Sequence, residues 1–273
     1  MSVTTFAAAQ LIRFLPRVRL SQAVGRLCDR PLPPQVSKVV ALAYAKAYRV
    51  NMEEAHVDGP FPCFDAFFTR KLKSGVRSVS QDAVVSPADG LLSVRGPVTN
   101  DCRIQVKDQQ YSVAELIGSV DDAKRYVGGS FVVIYLSPRD YHRVHAPVSG
   151  HLASLRAIPG DLFPVNSIGE RYVQGLFVRN NRVAFHLDTQ ELGRVTLVMV
   201  GATIVGRIGV TALDDASPRP GLHTFSEPVA VTRGDEIGIF HLGSTVVVLF
   251  EPGVSIQRQP GVVRYGETLL RAS

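Results

Sequence analysis

The run Val246-Val247-Val248-Leu249-Phe250 leaves its surroundings few ways to fold. It is continuously apolar, rich in β-branched residues and closed by Glu251-Pro252-Gly253, which favours a buried β-strand over a helix. Into it feeds His241-Leu242-Gly243-Ser244-Thr245, a small bend that bears hydroxyls. Gly243 has no Cβ, so its backbone reaches conformations closed to other residues and its carbonyl is sterically open. Ser244 carries a hydroxyl within reach of that carbonyl. With a base nearby, such a pair can do chemistry on its own peptide bond; without one, Gly-Ser-Thr is a common turn. Both readings stand at this point.

The chain of 273 residues is 45% hydrophobic and 20% charged, enough for a sizeable core in one large domain or two modest ones. No stretch reaches the uninterrupted apolar length of a transmembrane helix. Cys28, Cys63 and Cys102 are far apart and lack metal-ligand spacing, which points to a reducing compartment. The charge is concentrated at one end. Residues 1–50 hold eight Lys/Arg and one acid, Asp29, so they carry +7 of a chain total of +6. A basic end on a near-neutral body suggests surface docking and argues against a nucleic-acid partner.

That end reads as three short helices. Residues 4–15 form the first, stopped by Pro16, and residues 19–28 the second. After Pro31-Leu32-Pro33-Pro34 the third shows Val36, Val39, Val40, Ala43, Tyr44 and Ala47 at helical spacing. Basic amphipathic helices suit an interfacial anchor on anionic lipid, at about 1 kcal/mol per basic residue near the surface. Ordinary packing helices or a cleaved targeting peptide remain alternatives. Asn51 and Glu54 have capping-box spacing for a further short helix. Phe64 to Lys73 reads as a helix that buries its phenylalanines and leaves its bases in solvent. From residue 79 the pattern is β, and Leu176-Phe177-Val178 with Val183-Ala184-Phe185 reads as a hairpin across Arg179 to Arg182.

Three turns offer reactive groups. Ser86-Pro87-Ala88-Asp89-Gly90 carries a carboxylate, although Asp-Gly is also an ordinary Asx-type turn. Ser137 to Pro147 carries His142 and His145, an i, i+3 pair without a third ligand for a metal. Ser244 supplies the third. Asp, His and Ser on separate turns can form a base-activated nucleophile if the fold brings them together.

Taken in order, these motifs resemble the phosphatidylserine decarboxylase family of pyruvoyl-dependent lipid enzymes. The likeness runs through Phe67-Phe68-Thr69-Arg70, Pro87-Ala88-Asp89-Gly90, Leu136 to His145 with Pro147, and Pro159-Gly160-Asp161-Leu162-Phe163 with Val165-Asn166. It continues through Val200-Gly201-Ala202-Thr203, Gly234-Asp235-Glu236 and Leu242-Gly243-Ser244-Thr245, nearly the whole chain. The resemblance implies that His145, oriented by Asp89, deprotonates Ser244, which attacks the Gly243 carbonyl. The chain would then split into a β chain, residues 1–243, and an α chain, residues 244–273, held together non-covalently as a heterodimer. The new end would be a covalent pyruvoyl group made from Ser244, with neither pyridoxal phosphate nor a metal. Phosphatidylserine would condense with it as a Schiff base, lose CO2 with His142 serving that step, and leave as phosphatidylethanolamine. Phe163, Val165 and Asn166 would line the substrate pocket. Pro164 departs from relatives that have Ser there.

The expected architecture is α+β: amphipathic docking helices in residues 1–78, then a mainly antiparallel sandwich or barrel-like catalytic domain in residues 79–273 with lipoyl-domain-like elements. The resemblance implies a bacterial peripheral protein on the cytoplasmic side of the cell membrane, docked through residues 1–50. Arg233 to Gly238 also looks like a lipoyl-carrier turn, but no suitably placed Met-Lys exists for such a role. A lipid hydrolase using Ser, His and Asp would leave the chain intact.

Overall fold

The structure is a computed structural model that describes residues 17–165, 172–203, 207–213, 215, 217–242 and 244–271. Its helices are α1 (Arg17–Cys28), α2 (Pro34–Tyr48), α3 (Phe64–Phe68), α4 (Val113–Ile117), α5 (Val120–Ala123) and α6 (Leu176–Arg179). The first strands are β1 (Val84–Val85), β2 (Gly90–Pro97), β3 (Arg103–Val106), β4 (Gln109–Ser112), β5 (Ser130–Leu136), β6 (Arg143–His145) and β7 (Gly150–Ile158). They continue with β8 (Arg182–Asp188), β9 (Arg194–Val200), β10 (Arg207–Val210), β11 (Gly221–Val231) and β12 (Glu236–His241). The last are β13 (Ser244–Phe250), β14 (Gly261–Val263) and β15 (Thr268–Leu270). This is an α+β fold.

Every residue of β13 is buried. The strand lies inside an eight-stranded sheet of order β11-β7-β8-β9-β13-β5-β2-β14. It pairs antiparallel with β5 on one side and β9 on the other, Val247 facing Val133 and Val198. A strand covered on both faces has no polar alternation, which is why this run reads as solid β-branched sequence. A smaller sheet, β10-β12-β6, holds the elements that lead into the site. The main core gathers Phe131, Phe177, Phe185, Phe240 and Phe250, with Phe68 reaching it from α3.

The N-terminal helices differ from expectation in an informative way. The first expected helix, 4–15, lies outside the described residues. In α2 the buried stripe is Ser37, Ala41 and Ala45, packed with Val50 and Phe67. Small residues allow this close approach, and Val36, Val39, Val40 and Leu42 are left facing out. No helix of the described residues is long and apolar enough to cross a membrane.

Three local readings are corrected. Asn51 to Glu54 forms no helix; Asn51 Oδ1 accepts from Glu53 N at 3.1 Å in an Asx-type turn. The Phe64 helix stops at Phe68, and Arg70, expected in solvent, is buried. The hairpin fails because Leu176 to Arg179 is the helix α6, while β8 pairs with β7 and β9. Its supposed polar tip is an internal clamp. Asn180 is fully buried, and Arg182 donates to the carbonyls of Leu116, Glu115, Val178 and Asn180.

Candidate active site

Ser244 opens β13 opposite Leu136, the last residue of β5. Its hydroxyl is fully buried and has no hydrogen-bond partner among the described residues. A buried hydroxyl without a partner is costly, and such groups concentrate where chemistry needs them. The residue two positions earlier, Leu242, has φ 87. The left-handed region costs a non-glycine residue roughly 1–2 kcal/mol. Backbone strain therefore sits one residue before Gly243, which itself lies outside the described residues.

Beyond Leu136 the chain turns through Ser137 to Tyr141. Asp140 Oδ2 closes this turn by accepting from the Ser137 N–H and hydroxyl, each at 2.7 Å. The turn delivers His142 into the interior, where it is fully buried with its ring 4.1 Å from that of Phe68. His142 Nδ1 lies 2.8 Å from the Asp140 carbonyl oxygen. A carbonyl only accepts, so Nδ1 carries the proton and Nε2 bears a lone pair. Nε2 has no partner among the described residues. Burial, with the Arg70 cation adding to it, pulls the His142 pKa down to about 3. His142 is a neutral imidazole at neutral pH.

His145 ends β6. Its Nδ1 donates to the Gly234 carbonyl at 2.7 Å, so Nε2 is again the lone-pair nitrogen, 3.3 Å from the Tyr141 hydroxyl. The ring stacks on Tyr265 at 3.9 Å and 7°. Burial lowers its pKa, against the opposing pull of the Gly234 carbonyl and the Glu236 and Asp89 carboxylates. The arrangement suits a general base: the tautomer is set and the lone pair is presented.

Asp89 follows Pro87, whose carbonyl accepts from His145 N at 2.8 Å. Gly90 is required here, since a Cβ would lie 2.4 Å from the Tyr135 carbonyl oxygen. The Asp89 carboxylate receives Arg77 through Nη2 at 2.6 Å and Nε at 3.3 Å, and Tyr265 N at 2.9 Å. Arg77 also holds Glu54 at 2.7 Å. Asp89 thus meets His145 through Tyr265, whose amide it binds and whose ring covers the imidazole. The direct partner of His145 Nδ1 is the Gly234 carbonyl.

Phe163 and Val165 are buried in a loop fastened by Asn180. The Asn180 side chain accepts from Phe163 N at 2.9 Å and donates to the carbonyls of Phe163 and Gly201, each at 2.8 Å. Gly201 follows Val200, the partner of Thr245 in the sheet. One amide therefore ties this loop to the strand pair beside Ser244. Asn166 lies outside the described residues. Among the described residues no three His, Cys, Asp or Glu side chains converge to hold a metal ion.

Sequence reasoning missed Arg77 and Tyr265, which sit far along the chain from the histidines and carry no motif of their own; Gly234 fell within a motif, but its contact with His145 was not foreseen. The pairing of Asp89 with Tyr265 N could not be seen without the fold.

The family model described as phosphatidylserine decarboxylase matches residues 64–271. A phosphatidylserine decarboxylase proenzyme of Myxococcus xanthus is 41% identical, covering 95% of this chain and 96% of its own length. Proteins of the same name from Anaeromyxobacter sp. and Shewanella baltica are 39% and 40% identical, covering 94% and 86% of this chain and 95% and 85% of theirs. The chain is an enzyme of the phosphatidylserine decarboxylase family.

Proposed function

We propose that the chain converts phosphatidylserine to phosphatidylethanolamine by means of a pyruvoyl group that it makes from its own Ser244. The observation that carries this reading is the buried Ser244 hydroxyl at the mouth of a central strand, without a hydrogen-bond partner among the described residues and two positions after a strained residue. In this reading His145 Nε2 takes the hydroxyl proton and Ser244 Oγ attacks the Gly243 carbonyl carbon, so that the amide becomes an ester. Loss of the Ser244 α-proton then breaks the Cβ–O bond. Residues 1–243 leave with a C-terminal carboxylate, and residue 244 becomes dehydroalanine. Uptake of water and loss of ammonia turn that residue into the pyruvoyl end. Asp89, fixed in place by Arg77 and the Tyr265 amide, is a carboxylate near His145 that favours the ring while it is cationic.

The pyruvoyl group supplies an electrophilic carbonyl that binds the substrate amine and accepts the electron pair released as CO2 leaves. In this reading His142 moves the proton. Because its ring is neutral with a lone pair on Nε2, it must first accept a proton, for which the substrate ammonium is the natural source. It then returns that proton to the α-carbon after CO2 has left. Phe163 and Val165, and Asn166 from the sequence, are the proposed pocket wall.

The docking surface in this reading comprises residues 1–78, with the catalytic domain in 79–273. The outward Val36, Val39 and Leu42 of α2 enter the headgroup boundary while the basic residues meet anionic lipid on the cytoplasmic face of a bacterial membrane. The test is mass spectrometry of the active protein under denaturing conditions. Two pieces, 1–243 and 244–273 with a pyruvoyl terminus, are expected. An active sample containing only the intact chain with an unmodified Ser244 overturns the reading.

A further inference from the structure

The crossing from β12 to β13 is fastened by polar side chains that the chemistry above does not use. His241 ends β12, and its Nδ1 lies 3.0 and 2.9 Å from the two carboxylate oxygens of Asp65 on α3. A carboxylate accepts, so Nδ1 carries the proton and the ring orientation is fixed. Both side chains are only 14% exposed. Arg207, the partner of His241 across β10 and β12, places Nη2 3.6 Å from Asp65 Oδ1 and 2.6 Å from Asp29 Oδ1. On the other side of the ring, a Cβ on Gly209 would stand 3.3 Å from His241 Nε2. Leu242 lines the same cleft as Asp29, Asp65, Arg207 and His241.

The chain is therefore held on both sides of the proposed cleavage point. Upstream, His241 is tied to Asp65; downstream, β13 is paired along its length with β5. Between them Leu242 adopts its left-handed conformation. A non-glycine residue stays there only when its surroundings over-determine it. His241, the residue before Leu242, has a side-chain anchor to another element.

We infer that His241 and Asp65 are positioning residues for self-cleavage: their hydrogen bond fixes the end of β12, holds Leu242 in its turn and so presents the Gly243–Ser244 peptide bond to the Ser244 hydroxyl. The inference rests on the self-cleavage reading. It has a consequence that general support of the fold would not have. Once the bond is broken, residue 243 is a free end, and the anchor no longer bears on the chemistry at residue 244. Processing should depend on His241, and decarboxylation by the processed enzyme should not.

The experiment follows cleavage of freshly synthesised full-length chain by denaturing electrophoresis, and then decarboxylation per mole of pyruvoyl. His241→Ala and Asp65→Ala should slow cleavage about tenfold or more, in keeping with the sensitivity of such steps to misplacement by about 1 Å. His241→Asn puts an amide N–H near the Nδ1 position and should restore cleavage. His241→Gln puts it near Nε2 and should not; comparing these two polar variants keeps the test sound if the alanine variant folds poorly. All processed variants should decarboxylate at the wild-type rate. Wild-type cleavage by His241→Ala, equal defects in the Asn and Gln variants, or a parallel loss of decarboxylation would each reject the positioning role. An uncut wild-type chain would instead reject the self-cleavage reading beneath it.

Discussion

His142 and Arg70 donate to the same atom: the Asp140 carbonyl oxygen receives His142 Nδ1 at 2.8 Å and Arg70 Nη2 at 3.4 Å. The shared acceptor brings a buried guanidinium close to a buried imidazole. Arg70 forms no ion pair with a carboxylate among the described residues; its two Nη atoms donate to the carbonyls of Phe68, Arg139 and Asp140, and its buried Nε has no hydrogen-bond partner among the described residues. Burial is the larger cause of the lowered His142 pKa, and the Arg70 charge adds to it, so that both keep the ring unprotonated. Replacing Arg70 with Gln should let the His142 pKa rise from about 3. The acid limb of the kcat profile should then move to higher pH, because a larger fraction of His142 is protonated at rest. A pH–rate profile of the processed enzyme checks this, and an unmoved limb excludes electrostatic control by Arg70. His142→Gln should still cleave itself while losing about 10²–10⁴-fold in decarboxylation.

Acid should destabilise the fold before the carboxylates titrate. Burial lowers the pKa values of His142, to about 3, and of His186, to about 4, and it also lowers that of His145. A histidine depressed in the folded state binds its proton more readily in the unfolded chain. Stability is therefore complete above about pH 6.5 and falls as pH drops toward the folded values, each tenfold difference in proton affinity between the two states being worth about 1.4 kcal/mol. The lowered carboxyls of Glu54, Asp122 and Asp188 lose their contribution in the same direction, but at more acid pH. Urea midpoints of the uncleaved Ser244→Ala chain at about pH 7.5 and about pH 5 should differ clearly, the lower pH being the less stable. Equal midpoints would contradict the neutral buried histidines.

Arg77 is sandwiched between Asp89 and Glu54, and its side chain is 5% exposed. Removing one partner of a buried ionic cluster leaves the rest uncompensated. Arg77→Met should therefore destabilise the fold by about 3–5 kcal/mol. Equilibrium unfolding measures the loss, and Arg77→Lys should recover part of it because a lysine ammonium keeps the charge without the two-pronged geometry.

The parts of the site legible in the sequence are those in which one residue's type determines its place. The β-branched run required a buried strand, and the two histidines of one turn and the Gly-Ser bend could be named from their chemistry. The partners of those groups were not legible. Tyr265 stacks on His145, Gly234 holds its Nδ1 and Arg77 holds Asp89 only because β12, β6 and the C-terminal segment converge. The failed hairpin has the same cause. Arg179-Asn180-Asn181-Arg182 has turn composition, but Asn180 and Arg182 are occupied by backbone carbonyls brought from distant segments. The stripe on α2 could be listed but not oriented, since small residues at Ala41 and Ala45 took the inner face.

That outward stripe gives a direct membrane test. Val39 is 66% and Leu42 is 54% exposed. Val39→Asp with Leu42→Asp should leave the fold intact and weaken sedimentation with vesicles rich in anionic lipid. Deletion of residues 1–50 should weaken it further. Undiminished binding by both proteins would show that the docking surface lies elsewhere.

Cleavage after Gly243 would leave residues 244–273 without a covalent tie, yet the sheet gives them no easy exit. β13 pairs on both sides, β14 pairs with β2, and β15 pairs with β1. Hydrogen bonds to separate strands of the larger piece, and a wholly apolar interior from Val246 to Phe250, should keep the two pieces together in gel filtration. Leu249 is fully buried between Phe131 and Thr196 in the register. Leu249→Ala should weaken the assembly by about 2–5 kcal/mol. The processed variant should then release the short piece at a lower urea concentration than wild type, while the unprocessed Ser244→Ala, Leu249→Ala chain unfolds without releasing anything. Release of the short piece from wild-type enzyme in buffer alone would mean that β13 does not hold it.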